Sequence, residues 1–101
     1  TVPNRVEAEK IARGLVDSEL AACVQIIPQL TSVYKWQGVT EVADELLLMI
    51  KSSDTCTVQI KEFLAMHHSY DTPEVIFCLA SDISESYARW IDGSVGNNGT
   101  R

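Results

Sequence analysis

Apolar residues recur along the first part of the chain at Val6, Ala8, Ile11, Ala12, Leu15 and Val16, with Glu9, Lys10, Arg13 and Asp17 between them. That spacing predicts an amphipathic helix from about Arg5 to Leu20. Asn4 stands ahead of it with Glu7 three residues on, an asparagine-led capping box for the N–H groups that a first helical turn leaves unpaired. From Ala22 the period changes. Cys23 to Ile27 is rich in β-branched residues and predicts a strand, which Pro28 bends because proline has no N–H to give to a ladder. The strand resumes from Thr31 to Gln37, Gly38 marks a turn, and a loop is expected from Gly38 to about Ala43. Glu45 to Lys51 then forms the second arm of a hairpin. The middle of that arm is nearly all apolar, as in strands covered on both faces by helices or by another subunit.

Ser53 or Asp54 can cap a second helix carrying Val58, Ile60, Phe63, Leu64 and His67. Pro73 stops that helix from continuing and pushes Thr72 to an extended conformation, after which Glu74 to Ala80 reads as a buried strand. A short third helix follows from Ser84 with Tyr87, Trp90 and Ile91. The domain is expected over residues 1–92, with 93–101 a flexible tail of three glycines and two asparagines. The acceptor-like Asn98-Gly99-Thr100 in the tail matters only in a secreted protein and is read as chance. Helix, strand, strand, helix, strand, helix is an α+β order with a mostly antiparallel sheet. One more strand before Arg5 would complete a split β-α-β unit, and Thr1 to Asn4 is too short to supply it.

Composition narrows the function. With 101 residues and 46% hydrophobic content, one domain can hold a core without disulfides or a structural metal. No apolar stretch approaches the ~20 residues needed to span a bilayer, and the first residues lack the pattern of a signal peptide, so no membrane insertion is expected. Eight basic against fourteen acidic residues leave a net charge of −6, which repels phosphate backbones and favours cations over nucleic acid. Three cysteines, Cys23, Cys56 and Cys78, leave at least one thiol free or paired between chains, which suits a reducing, cytoplasmic setting. Cys56 lies near a helix start, where a thiol can be activated, but no partner signature accompanies it. All three cysteines are therefore read as packing residues, and no catalytic residue is assigned.

The densest polar stretch is His67-His68-Ser69-Tyr70-Asp71-Thr72-Pro73-Glu74, between a helix and a strand. Imidazole is a common ligand for zinc, copper and nickel, which makes His67 and His68 candidate metal ligands. Neighbours on a helix point about 100 degrees apart, so the two need not reach one ion from the same chain. The competing reading is a helix-end histidine beside a core histidine. Tyr34 and Trp36 alternate on one strand and share a face, as a stacking platform, an interface anchor or core.

Three segments in register, Leu20 to Val24 through Ile27-Pro28, Ser32 to Gly38, and His68 to Glu74, closely resemble the CutA family of divalent-cation tolerance proteins. The resemblance implies a ferredoxin-like sandwich, with helices on one face of the sheet, assembled as a homotrimer and without an established reaction. The family's His-Pro-Tyr-Glu stretch is His68, Ser69, Tyr70 and Asp71 here, and His67 matches a second histidine found in some members. It implies a copper or other divalent-metal site at His67 and His68, with Tyr34, Trp36, Tyr70, Asp71 and Glu74 as surrounding or cleft groups. The lysine that usually follows the glycine of the tryptophan loop is Val39, which removes any anion contact it would make. The family also has a central strand, in some members with a metal-ligating cysteine, immediately before the position of Thr1. The leading expectation is a metal-responsive trimer. The alternative is a structural or signalling trimer that binds a small molecule or protein partner in clefts between subunits.

Overall fold

A computed structural model describes residues 1–96. Helix α1 spans Arg5–Asp17, strand β1 Cys23–Trp36, strand β2 Val39–Lys51, helix α2 Thr57–His67 after a single 3-10 turn at Asp54–Cys56, and helix α3 Glu85–Ser94.

Half of the expected capping box forms. Asn4 Oδ1 accepts the Glu7 N–H at 2.8 Å, as an N-cap should. The Glu7 carboxylate does not return to Asn4; it accepts the N–H of Ser69 at 3.0 Å and so ties α1 to the loop beyond α2. The helix stops short of Leu20. Glu19 takes a left-handed φ of 61°, and the N–H groups of Leu20 and Ala21 both turn back to the Leu15 carbonyl.

The hairpin is longer than its sequence pattern predicts. Gln37 and Gly38, with φ of 52° and 81°, make a two-residue turn with both central residues left-handed, the geometry that matches strand twist. The expected loop from Gly38 to Ala43 is therefore a correction: Val39 pairs with Trp36, Glu41 with Tyr34 and Ala43 with Ser32. Pro28 and Gln29 sit in a bulge between the Ile27–Leu47 and Leu30–Glu45 pairs, which lets the missing proline N–H fall outside the ladder.

One sheet face carries Val24 and Ile26 of β1 with Leu46, Leu48 and Ile50 of β2, packed against Ala8, Ile11 and Leu15 of α1 and Ile60 and Leu64 of α2. Both helices thus lie on one face of the sheet. Among the described residues no helix covers the other face, where Met49 is exposed, so of the two covers expected there only another subunit remains. Gly14 lets α2 come close: a Cβ built on it would lie 2.5 Å from Cζ of Phe63.

Two expectations at the C-terminal end change. Glu74 to Ala80 is extended, as Pro73 and its apolar residues require, but among the described residues it has no ladder partner. Ile76 and Leu79 are 74% and 86% exposed. The apolar run supplies strand character and no neighbour, so Cys78 within it is exposed rather than packed, and Cys23 is only half-buried. Helix α3 continues through Gly93 and Ser94, and Val95 is buried in the core with Gly96 N–H donating to the Glu19 carbonyl at 3.0 Å. The expected tail is thus ordered to Gly96, and the rest of it, with the Asn98-Gly99-Thr100 pattern, lies outside the described residues.

Candidate functional site

The loop after α2 and the hairpin face each other across a cavity of about 710 Å³. Tyr34, Trp36, Tyr70, Asp71 and Glu74, the five cleft residues expected from the sequence, all line it. Register explains the hairpin side. Residues 32, 34 and 36 of β1 share a face, and Leu30 lies opposite Glu45, which places Glu45 on that same face.

Glu45 is the residue that sequence reasoning missed. It is 6% exposed, and its Oε2 accepts the Tyr70 hydroxyl at 2.9 Å. Burial pushes its carboxyl up, but hydrogen bonds from Ser32, Tyr70 and Thr1 and the attraction of the Thr1 α-amino group outweigh that and leave it below its ordinary value. Glu45 is an anion at neutral pH. Tyr70 responds in the opposite sense: burial, then the hydrogen bond to Glu45 and the charges around it, push its phenol up to about 12. The proton is thus held between a buried carboxylate and a phenol that keeps it.

A tyrosine whose folded pKa is raised contributes stability that is complete below about pH 10, its ordinary value, and is lost as pH rises through about 12. In an ultraviolet pH titration of native protein, one of the three tyrosines should ionise near pH 12 and vanish from the curve in Tyr70→Phe. If that late step persists in the variant, it belongs to Tyr34 or Tyr87.

The two histidines are separated by their partners. His67, exposed at the C-terminal end of α2, donates from Nδ1 to the Phe63 carbonyl at 2.8 Å and stacks on the Phe63 ring at 4.1 Å. Its proton is therefore on Nδ1, and Nε2 keeps its lone pair for a ligand. His68 has its side chain 4% exposed. Its Nδ1 accepts the Tyr70 N–H at 3.0 Å and its Nε2 donates to the Thr1 carbonyl at 2.7 Å, with Glu7 Oε2 at 3.5 Å from Nδ1. Both ring nitrogens of His68 are occupied in holding the loop. Among the described residues, no three His, Cys, Asp or Glu side chains gather closely enough to hold a metal ion. Cys56, the one thiol placed near a helix start, is buried in the core and packs there as an apolar side chain.

A family model described as CutA1 divalent ion tolerance protein matches residues 1–94. Protein CutA of Mus musculus is 40% identical over 103 residues, covering 99% of this chain and 58% of the relative. Protein CutA, chloroplastic, of Arabidopsis thaliana is 39% identical over 97 residues, covering 96% of this chain and 53% of the relative. The chain thus spans little more than half the length of these curated relatives. The solved divalent cation tolerance protein (Cut A1) from Thermus thermophilus superposes with a TM-score of 0.91 at 37% identity, over 94% of this chain and 92% of that one. The fold is α+β of the ferredoxin-like type.

Proposed function

The chain belongs to the CutA1 divalent ion tolerance family, and from that premise we propose that it works without catalysis, as a homotrimer that binds copper or another divalent metal and takes part in the response to such ions. The family match over residues 1–94 carries this reading. What the chain adds is His67, whose exposed Nε2 is free to ligate. One imidazole is too few, because zinc and copper sites take three or four ligands. Donors from neighbouring copies would complete the set, and this makes metal binding and assembly parts of one reading. Assembly is supported by apolar surface on the hairpin, where Val33 and Val42 pair directly and both lie exposed. The net charge of −6 attracts cations and disfavours nucleic acid. Three free thiols suit the cytoplasm, and among the described residues no helix is long and apolar enough to cross a membrane.

Calorimetric titration with copper or zinc, beside sedimentation of the same samples, tests this. The expected particle is about 34 kDa, three times 11.2 kDa. Metal affinity should be lost in His67→Ala and should weaken as pH falls, because protons compete with the metal for a ligating imidazole. A monomer at micromolar concentration would remove the assembly. A His67→Ala/His68→Ala double variant that binds metal as tightly as the parent would place the ligands elsewhere and favour a second reading. In that reading the trimer holds a small molecule or partner in clefts between subunits, and the cavity walled by Tyr34, Trp36 and Glu45 supports it.

A further inference from the structure

The cavity walls are unusual in charge. Glu45, Asp71 and Glu74 line it, and among the described residues no lysine, arginine or histidine does. The most buried of the three, Glu45, forms no ion pair with a basic side chain among the described residues. Hydrogen bonds, one of them from the Tyr70 hydroxyl, hold Glu45 as an anion in place of a basic side chain, so the cavity keeps a negative charge that an entering cation would meet.

Metal chemistry does not fit this place. The three carboxylates line one cavity, yet among the described residues no three acidic, histidine or cysteine groups converge on a point. Calcium and magnesium need six or more oxygens around one centre. What the cavity offers beside its charge is aromatic surface, since Tyr34 and Trp36 share a strand face and both line it. Dispersed negative charge with aromatic rings suits a cation whose charge is spread over carbon, which a ring can approach without stripping a tight hydration shell. The rings are not already taken: the cation–π contact among the described residues joins Lys61 and Phe77, away from this cavity.

We infer that the cavity between the hairpin and the loop after α2 is a binding site for a small organic ammonium ion, with Glu45 as the buried counter-charge, Tyr34 and Trp36 as the aromatic walls, and Asp71 and Glu74 at the mouth. The assignment rests on the small-molecule reading of this cavity and names the class of molecule it takes.

Choline and its uncharged carbon isostere 3,3-dimethylbutanol separate the two levels. The protein is used in its solution assembly with Trp90→Phe, so that Trp36 is the remaining tryptophan reporter. Choline should shift the Trp36 emission saturably, the neutral isostere should not, and Trp36→Ala and Glu45→Gln should each weaken choline binding by about tenfold or more, read by calorimetry. Where Glu45→Gln unfolds, Asp71→Asn serves as the charge variant, with a smaller loss. Equal binding of choline and the neutral isostere, lost in Trp36→Ala, would overturn the ammonium assignment and keep the cavity as a small-molecule site. No saturable response to either probe would overturn both.

Discussion

A chain lengthened ahead of Thr1 by about six β-branched residues should resist urea far better than residues 1–101 alone. Val2 and Leu46 already form an antiparallel bridge, each N–H donating to the other's carbonyl at 2.9 Å. Residues added before Thr1 would run on past Leu48 and Ile50. That path lies in a groove of about 550 Å³ whose other wall includes Ile76, Phe77 and Leu79. The extended segment from Glu74 to Ala80 makes no backbone hydrogen bond to the sheet among the described residues, so a strand in the groove would pair on both sides. At about 1 kcal/mol net for each hydrogen bond, with ~25 cal/mol for each Å² of apolar surface covered, the gain is several kcal/mol. That rivals the ~5–15 kcal/mol total stability of a domain. Urea unfolding should show a higher midpoint and a larger m-value for the extended chain than for a glycine-serine extension of equal length. Equal midpoints with equal m-values would mean that the groove accepts no strand.

The second large effect is expected at His68. Replacing it with alanine leaves the Thr1 carbonyl and the Tyr70 N–H without their partners and empties a nearly buried site. Each unsatisfied buried group costs about 1–3 kcal/mol, and the cavity adds to this, so a loss on the order of 3 kcal/mol is expected. Tyr70 follows in sequence and donates to Glu45, so the same change should also loosen the candidate site. His67→Ala removes an exposed ring and should cost under about 1 kcal/mol. Chemical unfolding of both variants gives the comparison. Equal losses would mean that the His68 contacts add nothing to stability.

The histidine pair shows where a one-dimensional pattern stops being informative. The sequence places both residues at a helix end and cannot say whose nitrogens are occupied, because the partners of His68 come from Thr1 and Tyr70. Glu45 is the sharper case. It reads as the polar flank of an apolar run, and only a tyrosine 25 residues later makes it a buried group. The Asn4 cap was legible because cap and first turn are local, and the hairpin turn was legible at Gly38 for the same reason. The paired stretch from Val39 to Ala43 was not. Its residues are largely exposed on both faces, so no alternation of burial marks it as a strand. The segment from Glu74 to Ala80 failed in the opposite way, since its apolar run promises burial that only adjacent chain can provide.

The close approach at Gly14 reaches further than packing. Phe63 fills the space where a methyl group at position 14 would stand, and the same ring stacks on His67. Alanine there would gain about 1 kcal/mol of helix propensity while pushing that ring aside, and the imidazole leaning on it would have to move as well. The aim of an exposed lone pair on α2 is therefore set from α1, by a hydrogen atom standing where most helices carry carbon.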